Sequence, residues 1–222
     1  LLMDYILTVA VSISSGVAQI VSAYPALDAH RVELGVAAVF IVMLVNLRGV
    51  KESGAAFAIP TYFFIVMMLI TTAMGLFRYF NGSLGTVTDP PEVHLMNTLA
   101  PVTAFLLLHA FANGTTALTG VEAISNGITA FKEPRSRNAG ITLIWMAVIL
   151  ASLFLGISFL SVQIDAVPSE FETVISQLAR TVFNGQGFFY IAIIFATTVI
   201  LLLAANTAFA GFPRLSALMA KD

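Results

Sequence analysis

Long apolar runs dominate this chain and restrict it to an all-α, membrane-embedded architecture. A helix that crosses a bilayer needs roughly 20 mostly apolar residues, and six runs reach about that length. Only 10% of the 222 residues are charged, whereas soluble domains average about 25%. The predicted spanning helices cover residues 3–23, 34–50, 56–80, 99–131, 139–163 and 187–217. Residues 168–182 have helical spacing but are too short and polar to span, so we expect a short surface helix there.

The predicted helix 99–131 is interrupted at its middle, by residues 113–116 (Asn-Gly-Thr-Thr) and 119–122 (Thr-Gly-Val-Glu). Non-helical backbone at membrane depth is tolerated only where protein buries it or water reaches it. A glycine-interrupted span points to the midplane site of a transporter, where carbonyl oxygens suit a small cation and helix N-termini suit an anionic group. The candidate ligands in the break are Asn113, Thr115, Thr116, Thr119 and Gly120.

Three ionisable residues lie in or beside the spans. A charged carboxylate at the centre of a membrane helix costs roughly 2.5–3.5 kcal/mol, so such residues usually face a cavity and act there. Glu122, at the break, is expected either to couple transport to a proton or gate, or to brace the broken helix. His109, about one turn earlier, is either a proton relay or a structural histidine. Asp4 is either a residue of the membrane edge or a proton or cation site.

The first predicted helix carries a hydroxyl stripe at steps of three and four residues, which places its members on one face. The stripe consists of Tyr5, Thr8, Ser12, Ser15, Gln19 and Ser22. A stripe of this length is typical of a helix that lines a water-accessible path. The alternative is that the small polar side chains hold neighbouring membrane helices together.

Basic residues predict the orientation, because cytoplasmic connections are enriched in Lys and Arg. The connections after the second and fourth helices and the end of the sixth hold seven of them, and the opposite side holds three. We therefore expect a multi-pass protein of the cell membrane. The N-terminal end of its first span and its C-terminal end would both be cytoplasmic.

Other functional classes are disfavoured. The chain has no cysteine, which excludes disulfides and thiolate metal sites, and a net charge of −2 gives no reason to expect nucleic acid. No hydrolytic constellation or metal-ligand spacing occurs. We predict a secondary transporter rather than an enzyme, with no resident cofactor and with a small ion or molecule and the lipid bilayer as partners. A membrane sensor or an intramembrane enzyme is the less favoured alternative.

Motifs along the whole chain resemble the amino acid–polyamine–cation (APC) superfamily of LeuT-like transporters. The resemblance rests on residues 45–53 (VNLRGVKES), 119–124 (TGVEAI), 131–138 (FKEPRSRN) and 212–222 (FPRLSALMAKD). It implies a fragment of the LeuT/APC fold, with family helices 3–8 in one transmembrane domain, 1–222. The first two helices, the later helices and any cytoplasmic domain would lie outside the chain.

Within that superfamily, residues 4–16, 111–127 and 137–140 resemble the KimA-type bacterial potassium importers. This resemblance implies proton-coupled potassium uptake by alternating access. It places potassium ligands at Tyr5, Thr8, Ser12 and Thr119. Homologues often carry the name amino acid permease, so a proton-coupled amino acid permease is the second interpretation. We also expect a homodimer of the full-length protein.

Overall fold

The computed structural model describes residues 2–47, 54–90, 103–114, 124, 128 and 131–219. Within this part of the chain the regular structure is helical and no strand occurs. The helices are α1 (Leu2–Ala23), α2 (Arg31–Leu47), α3 (Gly54–Phe80), α4 (Ala104–Gly114), α5 (Arg135–Gln163), α6 (Val174–Val182) and α7 (Phe188–Met219), with a 3-10 helix at Pro25–His30 before α2.

Five helical segments in the described residues are long and apolar enough to cross a membrane: α1, α2 together with the 3-10 helix before it, α3, α5 and α7. They confirm the predicted spans at 3–23, 34–50, 56–80, 139–163 and 187–217. Large apolar side chains lie exposed along them; Ile59 and Phe80, for example, are 75% and 80% exposed. A helix that is apolar on its outward faces as well as toward its neighbours fits a lipid environment.

Two spans begin three or four residues earlier than the apolar pattern predicts. Helix α2 starts at Arg31 rather than residue 34, and α5 starts at Arg135 rather than residue 139. Apolarity marks the stretch buried in lipid, whereas backbone hydrogen bonding continues into the polar turn outside it. The turn before α5 is closed by the Asn138 side chain, whose Nδ2 donates to the Lys132 carbonyl over 2.8 Å.

The predicted broken span, 99–131, is described only in part. Its first half contains α4, which runs to Gly114 as the pattern predicts. The predicted interruption falls largely on residues 115–123, which lie outside the described residues, so the break stays a prediction.

Contacts divide the chain into two compact units, one from Leu1–Val93 and Gly156–Asp222 and one from His94–Leu155. In the first unit α1 and α7 pack along each other in antiparallel fashion. Ile13 and Ala205 are buried together, and Gly16 lies against Leu201. Small residues at these positions let the two backbones approach closely, which is how membrane helices associate.

A second apolar core of the first unit joins α6 to the ends of α3 and α5. Its buried members are Val87, Leu160, Ile164, Leu178 and Val182. Gly75 on α3 permits this packing, because a Cβ atom there would lie 2.6 Å from Leu160 Cδ1. The short helix predicted within residues 168–182 is confirmed as α6, which this core fixes at one end of the spanning helices.

Candidate functional site

The hydroxyl stripe lies on one continuous helix, α1, as its spacing predicts. Along α1 the stripe passes from partial exposure to burial: Tyr5 and Thr8 are half-buried, and Ser12 is 8% exposed. The side chain of Asp4, beside the N-terminal end of the stripe, is exposed. Tyr5, Thr8 and Ser12 therefore form one wall on a single helix face.

The C-terminal end of the stripe is used for packing. The Thr173 hydroxyl donates to Gln19 Oε1 over 3.0 Å, and the Thr173 backbone N–H donates to Ser22 Oγ over 2.9 Å. Ser22 Oγ also donates to the Ala18 carbonyl over 2.7 Å. For Gln19 and Ser22 the packing interpretation is therefore confirmed, because their polar atoms hold the segment before α6 against α1.

The N-terminal part of the stripe has a different environment. In the described part of the chain the hydroxyls of Tyr5, Thr8 and Ser12 make no hydrogen bond. These are three oxygen atoms on one helix face that neither packing nor the helix backbone engages. In potassium channels, backbone carbonyl oxygens, which are also neutral, replace the hydration shell of the ion. The arrangement is chemically suited to contact a weakly hydrated cation.

The Tyr5 ring contacts α7. Its nearest neighbour there is Gly211, at which an added Cβ atom would lie 2.5 Å from Tyr5 Cε1. Beside the ring is a cleft of about 520 Å³ whose walls include Val9, Phe209 and Phe212. The Tyr5 ring is itself one of the walls, and the others are apolar, so the cleft offers a cation nothing beyond the tyrosine hydroxyl.

The candidate residues of the predicted break are mostly outside the described residues. This applies to Thr115, Thr116, Thr119, Gly120 and Glu122. Asn113 lies in the last turn of α4, where its backbone carbonyl is near the helix end. The roles predicted for this group stay predictions.

His109 lies on α4 with its ring stacked on Phe105. The ring centroids are 6.2 Å apart and the planes differ by 12°. Both side chains are exposed, and the choice between a proton relay and a structural histidine stays open.

Sequence reasoning missed a polar cluster around α6, which we call the α6 clamp: Gln19, Ser22, Glu172, Thr173, Ser176, Arg180 and Tyr190. In it Arg180 Nε and Nη2 donate to the two Glu172 carboxylate oxygens over 2.8 and 3.0 Å. The Ser176 hydroxyl donates to Glu172 Oε1 over 2.8 Å and lies 2.9 Å from the Tyr190 hydroxyl. The sequence signal is the pair of Glu172, just before α6, and Arg180, in its last turn, but the sequence alone does not show that the two side chains pair.

Comparison with known proteins gives two matches. The family model for amino acid permeases matches residues 1–222, the whole chain. The potassium transporter KimA of Bacillus subtilis (strain 168) is 48% identical over 224 residues. That match covers 100% of this chain and 36% of the relative, so the chain spans about a third of the length of the curated relative it matches. The resemblances read from the motifs are thereby confirmed.

Proposed function

The chain belongs to the amino acid permease family, a family of transporters rather than enzymes, and from this premise we propose that it is part of a secondary transporter that takes up potassium together with protons. Transport would proceed by alternating access in the cell membrane. Potassium and the proton are cargo in this proposal, and no resident cofactor is involved.

The observation that carries the proposal is the unengaged hydroxyl set of Tyr5, Thr8 and Ser12 on α1. A dehydrated potassium ion needs several oxygen ligands of modest charge, and three such oxygens line one helix face. The relative that is 48% identical is named a potassium transporter, which supports the same cargo. Because the three residues supply one wall only, the proposal assigns the facing ligands to the predicted break, with Thr119 first among them.

Proton coupling is assigned to Glu122. A charged carboxylate is costly at membrane depth, and such residues usually face a cavity and act there. A change of charge at Glu122 would alter its electrostatic attraction for a cation in the same site. Asp4 and His109 are secondary candidates, since Asp4 is exposed and His109 stacks on Phe105.

The second candidate function is a proton-coupled amino acid permease, which the name of the matched family favours. In that case the helix N-terminus that follows the break would bind the carboxylate of the substrate. The two functions differ in whether the hydroxyls of α1 are ligands of the cargo, so substitution of these hydroxyls separates them.

The proposal is tested with the full-length protein in proteoliposomes. Uptake of the potassium analogue rubidium is measured with and without an inward proton gradient. We expect saturable rubidium uptake that the gradient accelerates. Uptake of an amino acid without any rubidium or potassium flux would contradict the proposal and support the second candidate.

A further inference from the structure

The close approach of α7 to α1 at Gly211 has a steric cause. A Cβ atom at Gly211 would lie 2.5 Å from Cε1, 3.2 Å from Cδ1 and 3.3 Å from Cζ of the Tyr5 ring. Non-bonded carbon atoms are at their optimal separation at about 3.5–4.0 Å. The observed place of the Tyr5 ring is therefore available only because residue 211 has no side chain.

The helix itself does not require a glycine at this position. Gly211 lies inside α7, where glycine weakens a helix relative to alanine. Its backbone has an ordinary negative φ, whereas Gly82 and Gly185 have φ values of +63° and +125°. The contact with Tyr5, rather than the backbone conformation of residue 211, therefore explains why a glycine occupies this position.

A methyl group at position 211 would displace the ring by about 1 Å to restore an ordinary contact distance. The ring has room for this movement, because the apolar cleft lined by Val9, Phe209 and Phe212 lies beside it. The two helices can then stay packed through Ile13, Val17 and Ala205 while the tyrosine hydroxyl changes its place. The expected effect falls on ligand geometry rather than on folding.

We infer that Gly211 is a positioning residue that holds the Tyr5 hydroxyl in place for cation binding. The inference rests on the proposed function, since it gives Gly211 a role in the same site. A displacement of about 1 Å is enough to impair a contact that depends on orientation. Gly211 is thus placed in the site by its effect on Tyr5, although it has no polar side chain of its own.

The test uses Gly211→Ala in the full-length protein, with rubidium uptake kinetics as the readout. We expect the half-saturation concentration to rise about tenfold while the maximal rate changes little. A tenfold rise corresponds to the loss of one contact about as strong as a hydrogen bond to a charged group. Gly16→Ala is the matched control on the same helix pair, because a Cβ atom there would have its nearest neighbours at an ordinary 3.7 Å. An unchanged half-saturation concentration in Gly211→Ala would overturn the inference.

A double variant separates positioning from a general packing defect. In a Tyr5→Phe background the hydroxyl is already absent, so Gly211→Ala should raise the half-saturation concentration no further. If the two substitutions together raise the half-saturation concentration by the product of their separate effects, Gly211 acts by some route other than the Tyr5 hydroxyl. If Gly211→Ala fails to accumulate in the membrane, Tyr5→Ala should restore accumulation by removing the clashing ring. Failure of that rescue also overturns the inference.

A measurement without transport distinguishes this inference from the proposed function. The ¹⁹F resonance of 3-fluorotyrosine at position 5 should shift in Gly211→Ala and stay in place in Gly16→Ala. An unshifted resonance in Gly211→Ala, with normal rubidium uptake by the unmodified protein, would overturn the inference alone. A shifted resonance together with no rubidium uptake by the unmodified protein would contradict the proposed function and the cation-binding role of Gly211 with it.

Discussion

At the scale of single residues, the hydroxyls of Tyr5, Thr8 and Ser12 lack the hydrogen bond that many helical hydroxyls in the described residues make. The usual partner of a helical hydroxyl here is the carbonyl one turn earlier, as for Thr61, Thr71 and Ser152, with distances of 2.8, 2.8 and 2.7 Å. Tyr5, Thr8 and Ser12 do not follow this pattern. Other hydroxyls in the described helices are also unbonded, among them the fully buried hydroxyls of Thr72, Ser161, Thr181 and Thr198. Tyr5 and Thr8 combine an unbonded hydroxyl and partial exposure with a place on the same helix face as Ser12, and this arrangement suits contact with a cargo ion.

The first prediction concerns these ligands. Tyr5→Phe and Thr8→Val each remove a hydroxyl and keep the shape of the side chain, so we expect the half-saturation concentration for rubidium to rise about tenfold. Uptake kinetics of the full-length protein provide the measurement. Tyr24→Phe is the control, because Tyr24 is 55% exposed beyond the end of α1. Unaltered half-saturation in both stripe variants would remove these residues from the site.

The second prediction concerns Glu122. Glu122→Gln cannot exchange a proton in the working pH range, so we expect the dependence of rubidium uptake on pH to flatten while the amount of folded protein stays the same. The measurement is initial uptake at a series of external pH values. Glu133→Gln is the control, since Glu133 is exposed and pairs with Arg135 at 3.2 Å. The same pH profile in Glu122→Gln as in the unmodified protein would show that Glu122 acts only as a brace.

At the scale of helices, the α6 clamp ties a short helix to the end of α1. Thr173 is its central residue, because its Oγ1 accepts a hydrogen bond from the Ser176 backbone N–H over 3.2 Å and its hydroxyl donates to Gln19. One side chain therefore caps α6 and docks it. Spacing along α1 predicts the stripe but does not divide it into a packing part and a free part, because that division depends on Thr173, which lies 151 residues after Ser22.

The third prediction is that Thr173→Val destabilises the protein. The substitution keeps the volume but removes the cap of α6 and a partner of Gln19, a loss of about 1–2 kcal/mol. We expect the thermal unfolding midpoint of the purified full-length protein to fall by a few degrees. Thr181→Val on α6 is the matched control, because the Thr181 Oγ1 is buried without a hydrogen-bond partner among the described residues. Equal shifts in the two variants would contradict the assigned role of Thr173.

At the scale of the whole molecule, the spans are the part that the sequence predicts best. Apolar runs locate α1, α3 and α7 to within a few residues, because lipid exposure constrains nearly every position in them. Contacts between distant segments are not predictable in the same way. Gly211 is one glycine in an apolar helix, and the residue pattern of α7 carries no information about its register against α1. Only the packed structure shows that Tyr5 lies opposite it.

The three basic residues on the predicted outer side are all held by local acceptors. Arg31 pairs with Asp28 at 2.5 Å, Arg78 donates to the Ser83 carbonyl over 2.9 Å, and Arg180 pairs with Glu172. Each of these three residues thus has a partner within the described residues, and the orientation itself stays a prediction.

The fourth prediction tests this orientation by labelling introduced cysteines. The chain contains no cysteine, so single cysteines give an unambiguous signal once any others in the full-length protein are replaced. Ser83 and Ser136 are both exposed, Ser83 after α3 and Ser136 in the first turn of α5. In intact cells a membrane-impermeant maleimide should label Ser83→Cys and not Ser136→Cys, and permeabilisation should make Ser136→Cys reactive. The reverse pattern would place both chain ends outside. That outcome would also reverse the side from which Tyr5 and Asp4 are approached, because they lie at the N-terminal end of α1.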